Sequence, residues 1–517
     1  MFNSHPKGLI PAALSNMGER FGYYIMVACL SLFLCSKFGL PDATAATIYS
    51  IFLAAIYILS LVGGIIADRT QNYNKTIQWG LVIMALGYVL LAIPVTVTPA
   101  NNTLLLVFTV AALFIISFGN GLFKGNLQAI VGKLYDNFEQ EAAKRGPQAL
   151  AEAKSKRDPG FQIFYVFINI GALFAPFVAP ALRSWWLGRS GYSYVAELPK
   201  LCHQYINGGE AGVNMDLLRQ YLGEAGITAA PSVDLCTDYL TVFNQGIHFA
   251  FIASVLAMAI SMAIFMAYRS TFPQPSKKEA AQTVEYTAEE KQAMAKELKQ
   301  RLYALFAVLG VVIFFWFSFH QNGVTLSFFT RDFVNTTTLP AEVWQCVNPF
   351  FIIVLTPVIM WFFGLLDKNG HSISTPRKIA IGMFIAGLAY MFLAFFSYSQ
   401  NYPSAETFTE MAADTRASMK AGAWVMICTY FLLTVAELFI SPLGLSFVSK
   451  VAPKSMLGLC QGLWLGTTAV GNMLLPIGAI MYNKLPLWQC WGIFVIVCFI
   501  ACGVMLAMVS WLERVTK

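Results

Sequence analysis

Residues 63–69 read Gly63-Gly64-Ile65-Ile66-Ala67-Asp68-Arg69, and residues 364–368 read Gly364-Leu365-Leu366-Asp367-Lys368. Each string closes an apolar stretch long enough to cross a bilayer, the first at 44–67 and the second at 343–366. Each puts glycine where helices pack closely, then an acid and a base at the edge of the hydrocarbon. These stretches are the second and the eighth of the chain, so the feature recurs at matching places in two sets of six. Weak internal symmetry of this kind is expected of membrane proteins built from two repeated halves.

The composition agrees. The chain has 517 residues, of which 57% are hydrophobic and 12% charged, with a mean hydropathy of +0.61. Soluble domains carry about a quarter charged residues. Disorder is excluded by 42 Phe, 21 Tyr and 11 Trp, and a small disulfide scaffold by length. A spanning helix needs roughly 20 mostly apolar residues. Twelve stretches meet this rule: 10–36, 44–67, 77–97, 103–132, 160–184, 246–268, 302–330, 343–366, 377–398, 421–448, 456–481 and 487–511. The fold class is therefore an all-α membrane protein of twelve transmembrane helices in two six-helix bundles. Bundle one is expected over 1–270 with a long outer loop at 185–245, bundle two over 301–517, and a polar Glu/Lys/Ala-rich cytoplasmic linker over 271–300.

Cations set the orientation. Lys133, Lys144, Arg145, Lys154, Lys156 and Arg157 follow the fourth stretch, and Lys277, Lys278, Lys291, Lys296, Lys299 and Arg301 follow the sixth. The loop from Thr96 to Thr103 has none. Even-numbered loops and both termini are thus expected in the cytoplasm. No signal-peptide layout opens the chain, because Glu19-Arg20 interrupts the first apolar run. The net charge of +7 sits in short clusters between apolar runs, which points to a lipid surface and not to nucleic acid. Of ten cysteines, eight lie in or beside the spans. Cys202 and Cys236 fall in the outer loop, where disulfides are permitted, and are expected to be bridged.

Ionisable side chains within a span cost at least about 2.5–3.5 kcal/mol on insertion scales and mark function by default. Glu19, Arg20, Lys124, His320 and Glu437 stand out. For Glu19-Arg20 a static pair that fixes packing is a weighty alternative. Lys124 and Glu437 lie in opposite halves, where a solvated central cavity accounts for them better. Helical spacing puts Asn16, Glu19-Arg20 and Tyr23-Tyr24 on one face of the first span. In the tenth, Pro442 follows Ser441 and frees a carbonyl near Glu437.

Several strings together resemble the proton-dependent oligopeptide transporter (POT/PTR) family of the major facilitator superfamily, whose loop signature the Asp68-Arg69 string also resembles. They are Glu19-Arg20-Phe21 with Tyr23-Tyr24; Gly119, Gly121, Lys124 and Asn126; Phe164-Tyr165, Ile168-Asn169 and Gly171; Phe315-Trp316 with Gln321; Asn348-Pro349; Glu437-Leu438 with Ser441-Pro442; and Trp464 with Gly471-Asn472. The resemblance covers nearly the whole chain. Many bacterial relatives carry two extra helices between the halves; the 271–300 segment is too polar for them. Three departures stand out. Asn16 replaces an acid that relatives place three residues before Glu19, His320 replaces an acid before Gln321, and Val27 replaces an arginine found in some relatives. In relatives those two acids are the implied partners of the lysine in proton coupling, so that route cannot be carried over unchanged.

The resemblance implies import of di- and tripeptides by alternating access, coupled to protons. A dipeptide is a zwitterion whose charges stand about 6–7 Å apart when extended. Lys124 would take the carboxylate and Glu437 the amino terminus, with hydrogen bonds from Asn169 and Asn348 and a lining of Tyr24, Tyr57, Tyr165, Ser441 and Trp464. For each tyrosine, ordinary packing weighs nearly as much. His320 is the leading proton site, because imidazole titrates near neutral pH; a buried neutral histidine bonded to a carbonyl is the plain alternative. Glu19, Arg20, Lys124 and Glu437 complete the proton-coupling set. No Gly-x-x-x-x-Gly-Lys-Ser/Thr string provides for nucleotide, so no cofactor is expected. Partners are small peptides, protons and the bilayer, the chain is expected to be monomeric, and the place is the cytoplasmic membrane. Transport of another small amino-acid-like or anionic solute is the alternative within the fold. A polytopic membrane enzyme ranks below it, since no metal-ligand or nucleophile pattern occurs.

Overall fold

The computed structural model describes residues 5–70, 72–98, 100–273, 288–369, 373–451 and 457–516. Among the described residues there are twelve helical segments long and apolar enough to cross a membrane. They are α1 (Leu9–Phe38), α2 (Asp42–Ala67), α3 (Tyr73–Ala92), α4 (Asn102–Ala143), α5 (Gly160–Arg189), α6 (Val233–Ala267), α7 (Lys299–Phe333), α8 (Ala341–Phe363), α9 (Thr375–Ser399), α10 (Ala423–Ser441), α11 (Gly462–Lys484) and α12 (Leu487–Val515). Most of the linker expected at 271–300, and the side chains of Asp68, Asp367, Lys368 and Pro442, lie outside what is described.

Three of the boundaries that differ from the sequence reading have a local cause. The chain leaves α3 at Ala92, five residues early, because Ile93 precedes Pro94 and is extended at ψ 114°. The fourth helix does not stop near 132 but continues to Ala143, its polar extension held by Arg157 against Asp136 (2.8 Å) and Glu139 (3.2 Å). The sixth starts at Val233, where Ser232 caps it by accepting from the Leu235 N–H at 3.2 Å. Gly39 ends α1 at φ 65°, a left-handed conformation that glycine adopts without cost, and the His203 ring packs where a Cβ would stand.

The chain forms two compact units. The first comprises Met1–Ser276 with Gly323–Phe350 and Thr409–Ala421; the second comprises Lys277–Asn322, Phe351–Phe408 and Gly422–Lys517. The division within α7 falls in the 3₁₀ turn His320–Gly323. In the first unit α1 packs against α5 and α6 and is the most enclosed span. Helix α4 crosses α2 and α3 backbone to backbone: a Cβ on Gly63 would stand 2.1 Å from the Gly121 carbonyl oxygen, and one on Gly80 2.7 Å from that of Gly119. Small residues that let helices touch are what association in lipid requires. In the second unit α9 packs against α10 and α12, with Tyr390 stacked on Phe494 at 4.9 Å. Outward-facing side chains such as Leu104, Phe395 and Ile500 are more than 60% exposed, as a lipid-facing surface demands.

Candidate functional site

The charged groups of α1 and α4 form one cluster. Glu19 is fully buried, so its charge needs close partners. Arg20, the next residue, folds back on it through Nε (2.5 Å) and Nη2 (2.8 Å), and Asn120 of α4 donates to the same carboxylate at 2.7 Å. The Arg20 guanidinium also covers the Tyr23 ring at 4.6 Å. Lys124 lies one turn beyond Asn120, on the same face of α4. Its Nζ sits 4.4 Å from the centre of the Tyr57 ring, within electrostatic reach of Glu19 and Arg20, and it forms no ion pair among the described residues. Tyr24 meets Tyr23 edge to face at 5.1 Å. Glu19, Arg20, Tyr24, Tyr57 and Lys124 are thus brought together. Asn126 is a packing pin: its amide donates to the Gly63 carbonyl at 3.0 Å. Asn169, buried, donates to the Tyr165 carbonyl at 3.0 Å within its own helix, while the Tyr165 side chain is 39% exposed.

In the second unit, His320 stacks on Trp316 at 5.1 Å and its Nδ1 donates to Asn472 Oδ1. Gln321, fully buried, donates to the Phe317 carbonyl at 3.3 Å. Glu437 and Ser441 are half-buried on α10. Trp464 is buried against Gly444, whose missing side chain makes room for the indole. Asn348, half-buried near the start of α8, belongs to the first unit.

The structure adds buried charges that the sequence reading passed over, all within the first unit. Arg183 of α5 and Glu342 are each 1% exposed and pair at 2.5 Å; the guanidinium lies 4.1 Å over Tyr194 and 4.8 Å over Phe243. Arg331 binds both oxygens of Asp42 (3.0 and 3.1 Å) and also Asp332 (2.6 Å). Glu197 receives Arg416 and Lys420, the latter at 2.5 Å. Lys37 contacts His248 at 2.6 Å. Arg183 and His248 fall inside the expected spans, so ionisable residues within an apolar run were a usable signal. Apart from the adjacent Arg331 and Asp332, the other pairs join residues far apart in sequence, which spacing cannot match.

Cys202 and Cys236 lie thiol to thiol, both buried.

Twelve apolar helices, with buried charges gathered on α1 and α4, define a multi-pass membrane protein of the major facilitator fold. A family model for the POT family matches residues 74–285 and 275–488. The chain belongs to that family. It is 27% identical to a protein named peptide transporter YePEPT from Yersinia enterocolitica, over 91% of this chain and 87% of that one. It is 26% identical to dipeptide and tripeptide permease A of Citrobacter koseri, over 91% and 83%. A crystal structure of a peptide transporter POT superposes with a TM-score of 0.70 at 21% identity, covering 99% of this chain and 96% of that one, and carries the fold.

Proposed function

We propose that this protein imports di- and tripeptides across the cytoplasmic membrane by alternating access, driven by protons. The relatives named as peptide transporters support the substrate class. The observation that carries the reading is the state of Lys124. Glu19 and Arg20 are taken up by each other and by Asn120, whereas Lys124, seated on the Tyr57 ring, forms no ion pair among the described residues. A cation held in a membrane helix without a resident counter-ion is set to receive a carboxylate that arrives with a ligand. Lys124 takes the peptide's carboxylate and Glu437 its ammonium. Asn169 and Asn348 bond the amide, and Tyr24, Tyr57, Tyr165, Ser441 and Trp464 line the path. His320 takes the coupling proton in place of the acid found in relatives, and Glu19, Arg20, Lys124 and Glu437 complete the proton-coupling set. The basic residues that follow α4 and α6 in the sequence support a cytoplasmic side for both termini and an outer side for residues 185–245.

Uptake of labelled di-alanine into proteoliposomes tests this. An inward pH gradient should raise accumulation in the native protein. Lys124→Gln should lower uptake by ~10- to 100-fold, the loss of one charged hydrogen bond. Full uptake by that variant, or accumulation of free amino acids but not di-alanine, would overturn the assignment.

A further inference from the structure

At the far end of α1 from its N-terminus, some 17 residues beyond Arg20 and so roughly 25 Å along the helix, lies a second polar site. It is a cavity of about 380 Å³ between α1, the loop after α3, the helix Leu198–Gly208 and the start of α6. Lys37 sits in its wall and is 7% exposed. Of the three protons on its ammonium, one goes to His248 Nε2 at 2.6 Å. That imidazole is fixed as the acceptor because its Nδ1–H donates to the Leu91 carbonyl at 2.5 Å. The Phe33 and Phe38 rings flank the ammonium at 5.5 and 5.7 Å. Among the described residues, no acidic side chain lines the cavity. Gln245 has its oxygen occupied by the Trp186 N–H at 3.1 Å, which leaves its amide N–H groups as the donors it can offer. Asn102 and Asn207 add further amides. His203 and Asn244 are engaged with the Ser36 carbonyl at 2.7 and 3.1 Å and hold the wall in place.

A buried ammonium costs several kcal/mol unless it is paired. Here its only polar partner among the described residues is a neutral ring, and the remaining donors line a hollow large enough for a small molecule. We propose that this cavity binds a small oxyanion, a carboxylate or phosphate group, with Lys37 as its charge partner and Gln245, Asn102 and Asn207 as hydrogen-bond donors. On the orientation proposed above it opens on the outer face. It is separate from the cluster at Lys124, so an anion here does not compete for that lysine. The oxyanion could come from a solute or from a lipid headgroup.

Equilibrium dialysis of the purified full chain, in nanodiscs of phosphatidylcholine at fixed ionic strength, tests this with radiolabelled inorganic phosphate and acetate. One saturable site per chain is expected for at least one anion. Lys37→Gln should weaken it by ~10- to 100-fold, as loss of a charge-assisted bond does, and Lys37→Arg should hold it to within a few-fold. Should Lys37→Gln fail to fold, Asn207→Trp at the exposed mouth gives the second reading: native thermal stability with binding lost. If neither solute binds but discs containing phosphatidylglycerol yield that lipid bound to the chain in a Lys37-dependent way, the oxyanion is a headgroup's and the site stands. Saturable binding unchanged in Lys37→Gln, or no Lys37-dependent binding of phosphate, acetate or lipid, overturns the proposal.

Discussion

Glu342→Gln isolates one buried charge. In the native protein both members of the Arg183–Glu342 pair are 1% exposed, with contacts of 2.5 and 3.4 Å. Arg183 Nε has no hydrogen-bond partner among the described residues, so the carboxylate carries most of the compensation. Removing one member of such a pair costs ~3–5 kcal/mol, because the other charge is left buried alone. Two features reduce the loss. The glutamine oxygen still accepts one hydrogen bond, worth ~1 kcal/mol. The Tyr194 and Phe243 rings continue to face the guanidinium. The expected destabilisation is therefore ~2–4 kcal/mol. Arg183→Met combined with Glu342→Leu removes both charges and fills the space with apolar atoms, and should lie within ~1 kcal/mol of native. Unfolding in mixed micelles of increasing SDS content, followed by tryptophan fluorescence, measures all three proteins. A Glu342→Gln protein as stable as native, or a double variant weaker than the single one, would show that desolvated charge does not govern this region.

Three further expectations concern other parts of the molecule. His320→Gln should abolish accumulation driven by a pH gradient while leaving counterflow exchange of di-alanine; persistence of gradient-driven accumulation would remove His320 as the proton site. Lys420, in the segment before α10, is lowered by burial to about 7 despite its contact with Glu197, which it shares with Arg416. Between about pH 7 and its ordinary value of 10.5 the unfolded chain binds the proton that the folded one has released, so stability should rise with pH across that window. Lys420→Met should flatten the profile, and an unchanged slope would assign it to another group. Material from an oxidising compartment should bridge Cys202 to Cys236, read as two additional alkyl labels after reduction; equal labelling before and after reduction would mean the thiols stay free.

The spans were legible because lipid imposes one rule on every helix: length and apolar character. Their ends were less so. Pro94 ends α3 by a local steric effect that hydropathy averaging does not register. The polar end of α4 looks like a loop by composition, yet continues as helix because its backbone bonds are already made and Arg157 ties it down. At the site, Glu19, Arg20 and Lys124 announced themselves as charges in apolar runs, but what each binds did not. Glu19 finds its second partner in Asn120, 101 residues away, and Glu342 finds Arg183 at a separation of 159. Pairings at such distances follow from how helices cross, and that is set by contacts such as Gly80 on Gly119, not by periodicity within one helix.

The two glycine crossings on α4 have a mechanical consequence. At Gly119 and Gly121 the backbone bears directly on α3 and α2, which blocks sliding and leaves rocking as the easy motion. From Gly121 to Ala143 the helix continues unbroken for 22 further residues, or ~33 Å of lever arm at 1.5 Å per residue. A rock of ~10° about that fulcrum would swing the far tip by ~6 Å while displacing Lys124, three residues from the pivot, by less than ~1 Å. The same helix can therefore hold Lys124 nearly still and throw its polar end through a wide arc.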